Sequence, residues 1–281
     1  MITLKDFLIL TKFKLSFTVS LSLVFAFGLA KNGIDLEIIN PFLGVLLLAL
    51  GVSSLNQVQE HKEDALMPRT QNRPIPAKRL SVRNGFIISF LLIFFAFVFI
   101  YLSLKMQGVM IFAIVVLMYN FFYTKGKKVT IYAAVYGAVL GIVPPMIGWI
   151  SAEGEITDIR FIALALFFFI WQIPHFWLLT LKFNSDYKKA KFPTVVDKFG
   201  IEGLERITFI WLLLTVIAGL YLILVFQSIS MPILILLIIL NIYTVYSIFQ
   251  LRVEHKYIKN FISINIYMLL TMFLLMIDKI L

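Results

Sequence analysis

Long apolar stretches and short polar ones alternate along this 281-residue chain, and their spacing predicts an architecture before any single residue is considered. Nine apolar runs stand between charged segments, at roughly 15–30, 40–57, 85–104, 107–123, 130–150, 159–180, 204–226, 231–250 and 260–278. A helix needs about 20 residues to cross the hydrocarbon core of a bilayer, and most of the runs are near that length. Membrane-spanning strands would show short segments of alternating apolar and polar residues, which these are not. The pattern predicts an all-α polytopic membrane protein, a bundle of nine transmembrane helices. The first run lacks the small-residue cleavage site of a secretory signal and is followed by eight more spans, so it is read as the first transmembrane helix. No polar segment is long enough to fold separately and no tandem repeat is present, so residues 1–281 are read as a single domain.

Composition agrees, with 61% hydrophobic residues and a mean hydropathy of +0.96. The chain has no cysteine, which removes disulfides, thiolate catalysis and cysteine metal ligands together. Any metal must then rest on oxygen or imidazole. The net charge is +10, and of 25 Lys and Arg only Lys31, Lys105, Arg160 and Lys279 fall on the side away from the N-terminus. The excess of cations in cytoplasmic loops places the N-terminus in the cytoplasm, in a cell (inner) membrane. The same charged face suits anionic lipid headgroups and an anionic substrate, and nothing suggests a nucleic acid.

The stretch "LNQVQEHKEDALMPRTQNRPIP", residues 55–76, crowds charge at the end of the second run. Asn56, Glu60 and Asp64 recur at four-residue spacing and share one helix face. Like charges so placed repel each other unless a cation lies between them, and Mg²⁺ takes one or two carboxylates together with substrate phosphate oxygens. Pro68 ends the helix, and Arg69 and Arg73 follow with the planar donor fork that matches phosphate. A solvated loop of local ion pairs is the competing explanation. A second polar cluster, "WQIPHFWLLTLKFNSDYKKAKFPTVVDKFG", residues 171–200, lies on the same side and carries Asp186, which alone reads as a loop acid. A third, "YNFFYTKGKKVTIY", brings Tyr123, Lys125, Lys127 and Lys128 to that face, with Gly126 permitting a turn.

These motifs carry a resemblance. "NQVQEHKEDALMPRTQNRP" is similar to the first aspartate-rich motif of the UbiA superfamily of intramembrane prenyltransferases, and "DALMPRTQNRP" resembles the branch of protohaem IX farnesyltransferases (haem O synthases). "DFLILTK", "YTK", "PPMIGW" and "WQIPHFWLLTLKFNSDYKKAKFP" resemble further signatures of that branch, over residues 6 to about 200. Glu60 departs from the usual aspartate, "LTKFKL" lacks the proline usual after the lysine, and "FPTVVDKFG" is a variant continuation.

The resemblance implies farnesyl diphosphate and haem B as substrates, Mg²⁺ as cofactor and haem O as product. It implies Asn56, Glu60, Asp64 and Asp186 as metal-binding and catalytic residues, with Arg69, Arg73, Lys125 and Tyr123 on the diphosphate. His175, in the sixth run beside Pro174, is a candidate haem contact or a structural histidine. His61 adjoins Glu60 and faces diphosphate or solvent, while His255 is expected in a solvated loop. Other proteins of haem metabolism are possible partners. Two other functions stay open: a UbiA-type enzyme acting on another aromatic acceptor such as a quinone precursor, and a transporter or channel, which would carry charge or broken helices near the midplane.

Overall fold

The computed structural model describes residues 2–227, 229–254 and 256–280, without the side chains of 251–254, and among them every regular element is helical. His255, expected in a solvated loop, lies outside the described residues. Helix α1 (Leu4–Leu10) precedes α2 (Phe13–Lys31), α3 (Ile39–Gln59) and the single turn α4 (His61–Asp64). A long irregular segment leads to α5 (Val82–Val116), which continues through a π-helical turn (Leu117–Tyr123) into the single turn α6 (Thr124–Gly126). Then come α7 (Ala133–Gly141), α8 (Val143–Ser151), α9 (Ile159–Lys182), α10 (Asn184–Lys189), α11 (Val195–Val225), α12 (Met231–Glu254) and α13 (Tyr257–Ile280).

Eight helical stretches among the described residues are long and apolar enough to cross a membrane, and one of them, Val82–Gly126, has 45 residues. That one is a hairpin. Lys105 adopts φ 50 and ψ −140, which no continuous helix allows. The rings of Phe97 and Phe112 meet edge to face at 6.0 Å, whereas the same residues on a straight helix would stand about 22 Å apart. Two antiparallel crossings thus occupy this stretch, as the runs 85–104 and 107–123 predict. The fifth run divides at "GIVPP", α7 ending at Gly141 and α8 starting with Pro144 and Pro145 in its first turn.

Lipid tails are as apolar as leucine, so membrane helices associate where small residues let backbones approach. Helix α8 crosses α2 at Gly148, where any Cβ would lie 2.2 Å from the Leu23 carbonyl oxygen. Five apolar clusters form among the described residues, two of them large. The larger joins α2, α9, α11 and α13 around Trp149, Phe167, Leu222 and Tyr267. The smaller joins α2, α3 and the α5 hairpin around Leu23, Leu48, Ile100 and Phe112. Phe86, Phe90 and Phe94 stay exposed along α5, as expected of a helix face turned to lipid.

At one end of the bundle the polar segments knit together. Gln57 donates from Nε2 to the carbonyls of Ile9 and Leu10 at 2.7 and 3.0 Å, pinning the C-terminus of α1 against α3. Arg79 reaches across to Asp6 at 3.0 Å. These contacts bring the corner at Lys12 over the end of α3.

Candidate active site

Helix α3 stops at Gln59, well before Pro68, the residue expected to end it, because Glu60 leaves helical geometry, with φ −110 and ψ 11. The four-residue stacking nevertheless persists through the interruption. The Glu60 N–H donates to the Asn56 carbonyl at 3.0 Å and the Asp64 N–H to the Glu60 carbonyl at 2.8 Å. Asn56, Glu60 and Asp64 therefore remain on one face, only 1%, 2% and 1% exposed. Burying two carboxylates so completely is costly unless cations compensate.

Each of the three residues meets a cation from a different part of the chain. Arg73 donates one terminal nitrogen to both Asp64 carboxylate oxygens, at 2.8 and 2.7 Å, and the Thr70 hydroxyl fixes the intervening turn on the Asp64 carbonyl. Lys127, just past α6, sits 2.6 Å from Glu60 Oε2. Lys12 donates to Asn56 Oδ1 at 3.1 Å from a left-handed backbone (φ 48), a strained conformation of the kind found at functional sites. Burial above all, then the nearby Arg73 and Lys127 charges, pushes Lys12 down to about 7. Beside this group Lys128 pairs with Glu63 at 2.5 Å; burial raises the Glu63 carboxyl, and the Lys128 bond carries it below the usual range.

The π-helical turn shapes the opposite wall. It inserts an extra residue per turn and rotates the downstream residues about the helix axis. Asn120 donates to the Val52 carbonyl and Gln59 to the Asn120 carbonyl, both at 3.1 Å, locking the turn to α3. Thr124 accepts from Asn56 Nδ2 at 3.1 Å. Tyr123 tilts against Phe176 at 6.1 Å and, with Lys127, Tyr187 and Phe192, lines a cavity of about 100 Å³.

The structure brings the first and second clusters together through packing. Met67 is buried against Ala190 and Phe192, and Arg69 lies over the Phe183 ring at 4.7 Å. Asp186 is buried in the first turn of α10 and joins no ion pair among the described residues, while Lys188, Lys189 and Lys191 beside it are exposed. Lys125 differs from expectation in placement. It is exposed with its ammonium 3.8 Å above Phe121, and Lys127 stands at Glu60 in its stead. A two-residue shift on one turn reverses which lysine faces inward. His61 likewise joins no ion pair among the described residues, and its Nδ1 lies 2.8 Å from the Val58 carbonyl. Lys12 is not among the expected site residues, and nothing in the sequence separates it from Lys5 and Lys14, which also precede the first span.

His175 lies mid-helix in α9, away from these charges, between the rings of Trp171 (5.0 Å) and Phe261 (4.7 Å). Its Nδ1 is 3.1 Å from Asn265 Oδ1 on α13.

The donor set suits Mg²⁺. Among the described residues no three His, Asp or Glu side chains stand close enough to hold a metal by themselves, but this ion needs only one or two carboxylates when substrate phosphate completes its shell. Glu60 Oε1 is buried with no hydrogen-bond partner among the described residues, an orphaned anionic oxygen that a hard cation would satisfy. Asn56, Glu60 and Asp64 offer oxygen only, each already facing a positive group.

The profile of the UbiA prenyltransferase family matches residues 16–275. The chain is 30% identical over 209 residues to a protoheme IX farnesyltransferase of Nitratidesulfovibrio vulgaris, covering 74% of this chain and 73% of that one. Its fold is similar to a digeranylgeranylglyceryl phosphate synthase (TM-score 0.75, 19% identity, 99% and 98% of the two chains). It is also similar to a UbiA homologue from Archaeoglobus fulgidus bound to DMAPP and Mg²⁺ (TM-score 0.72, 13% identity, 96% and 99%). The chain is thus a multi-pass membrane prenyltransferase and belongs to the UbiA prenyltransferase family.

Proposed function

We propose that the protein transfers the farnesyl group of farnesyl diphosphate to the 2-vinyl group of protohaem IX (haem B), forming haem O, with the whole chain acting as one domain. The reading rests on one observation: two buried carboxylates, Glu60 and Asp64, converge with Lys12, Arg73 and Lys127 beside an aromatic-lined cavity. Relatives named protoheme IX farnesyltransferases supply the acceptor, and the Mg²⁺ and prenyl diphosphate of the A. fulgidus structure support the donor side.

Mg²⁺ held by Asn56, Glu60 and Asp64, with Asp186 as a further ligand, would supply electrophilic neutralisation of the diphosphate. Arg73, Lys127 and Lys12 hold its oxygens as the C1–O bond breaks and the electron pair leaves with the diphosphate. Stabilising charge that develops only in the transition state is what raises the rate. Arg69 stands at the rim and Tyr123 on the cavity wall. Aromatic faces stabilise the allylic cation without capturing it as a hydroxyl would; Tyr123, Phe176 and Phe192 line the cavity where it forms. The vinyl π electrons close the new C–C bond, and water adds to the resulting cation and releases a proton. The concentration of Lys and Arg at the site's end of the bundle supports a cytoplasmic placement.

The test is incubation of purified protein in detergent with Mg²⁺, farnesyl diphosphate and haem B, then mass analysis of the extracted porphyrin. A gain of one farnesyl group plus water, abolished by EDTA, is the expected result. Unchanged haem alongside prenylation of a quinone precursor would transfer the assignment to another acceptor.

A further inference from the structure

Helix α13 holds α9 at three successive points. Trp171 donates from Nε1 to the Ile264 carbonyl at 3.1 Å, the Phe261 ring covers one face of His175, and Asn265 reaches the imidazole edge. The orientation of Asn265 is itself fixed. Its Nδ2 donates to the Phe261 carbonyl at 2.5 Å, so Oδ1 must be the atom presented to His175. An oxygen at 3.1 Å from Nδ1 can only accept, so Nδ1 carries the proton and Nε2 keeps its lone pair. Among the described residues that second nitrogen has no hydrogen-bond partner, although His175 is 8% exposed and otherwise ringed by Trp171, Phe176 and Phe261. Histidines that ligate metals are commonly fixed in this way, the far ring N–H donated to an oxygen that sets tautomer and orientation.

We propose that Asn265 is a positioning residue for the acceptor side: it holds His175 in the Nδ1–H tautomer so that Nε2 ligates the iron of the haem substrate. The inference rests on the proposed haem acceptor and extends it to a residue of the last helix. Ring packing alone would tolerate leucine at 265, whereas tautomer control would not.

The experiment titrates haem B, and in parallel metal-free protoporphyrin IX, into purified wild-type protein, His175→Ala, Asn265→Leu and Asn265→Asp, following the Soret band. Wild type shows a histidine-ligated spectrum that His175→Ala loses. Asn265→Leu weakens haem binding by about 10- to 100-fold, the usual cost of losing such a partner, and leaves metal-free porphyrin binding unchanged. Asn265→Asp, which still accepts from Nδ1, retains the ligated spectrum and decides the matter if Asn265→Leu fails to fold. Equal losses for both porphyrins, or an unaltered haem spectrum in Asn265→Leu, overturn the role of Asn265 while leaving the haem reading intact. A loss of the ligated spectrum in a folded Asn265→Asp overturns it as well. Wild-type protein that binds haem without a histidine signature overturns the ligation, and the mass of the reacted porphyrin then judges the haem reading separately.

Discussion

Replacing Asp64 with alanine removes two things at once, and their separation tests the metal-site reasoning. Asp64 is 1% exposed and takes two bonds from Arg73, whose side chain is 20% exposed. Removing one partner of a buried pair costs about 3–5 kcal/mol, and the residual access of Arg73 to solvent points to the lower end, about 3 kcal/mol. The catalytic loss is larger than that structural cost explains: one fixed group that stabilises transition-state charge is worth about 10²- to 10³-fold in rate. Asp64→Asn resolves the two, because its amide oxygen still accepts from Arg73 while the negative charge is gone. The assay measures initial rates of farnesyl transfer across a Mg²⁺ series, with thermal unfolding run alongside. Expected are a small loss of stability in Asp64→Asn, a larger one in Asp64→Ala, and transfer reduced at least about 10²-fold in both. A folded Asp64→Asn with the wild-type rate and Mg²⁺ dependence would falsify the assignment of Asp64 as a metal-holding carboxylate.

Lys12→Met is expected to raise KM for farnesyl diphosphate about 10- to 100-fold, since a hydrogen bond to a charged group contributes roughly 1.5–3 kcal/mol; an unchanged KM removes Lys12 from the site. The same variant has a pH signature: Lys12, held near 7 when folded, takes up its proton at higher pH once unfolded. Ligand-free stability should therefore rise with pH between about 7 and 10.5, and that rise should flatten in Lys12→Met when melting is compared at pH 7 and 9. Lys127→Ala should cost activity about 10²-fold and Lys125→Ala almost nothing, because of the two it is Lys127 that touches Glu60 while Lys125 lies over Phe121; the reverse order in kinetic assays would show that the two lysines exchange places. Gly148→Ala forces a methyl to 2.2 Å from the Leu23 carbonyl and should destabilise by about 1–3 kcal/mol in detergent melts, as overpacking does.

The spans were legible because hydropathy and length are properties of each segment alone, and the hairpin at Lys105 shows it well. A single charged residue between two apolar runs sufficed to divide a stretch that helix length and composition alone merge into one. That Asn56, Glu60 and Asp64 share one face was legible for the same reason, their spacing being local. What the sequence concealed is whatever depends on how segments meet. The choice between Lys125 and Lys127 turns on the π-helical turn upstream, which no composition signals. Lys12 reaches Asn56 only because α1 is pinned by Gln57 and Asp6. Asn265 lies in a helix whose sequence carries no motif, and gains its meaning from a residue 90 positions earlier.

Under the proposed function the arrangement would let one site bind a metal and an anion without exposing a bare charge at the membrane boundary. Around Glu60 and Asp64 stand Lys12, Arg73 and Lys127, so the ligand-free group is nearly neutral and carries a slight positive surplus. An uncompensated carboxylate there would carry a desolvation penalty of several kcal/mol. Under the proposed function the cations would act as placeholders: Arg73 and Lys127 pair with the carboxylates and would turn to phosphate oxygens once a divalent ion was bound. The surplus cation is Lys12, held near 7 by burial and its cationic neighbours, and an anion bound beside it would raise its affinity for protons. Donor binding should accordingly take up protons near pH 7. Calorimetry of farnesyl diphosphate binding in buffers of different ionisation enthalpy would detect that uptake in wild type and its absence in Lys12→Met. Buffer-independent heats in the wild-type protein would mean that Lys12 is already charged and that the surplus is fixed.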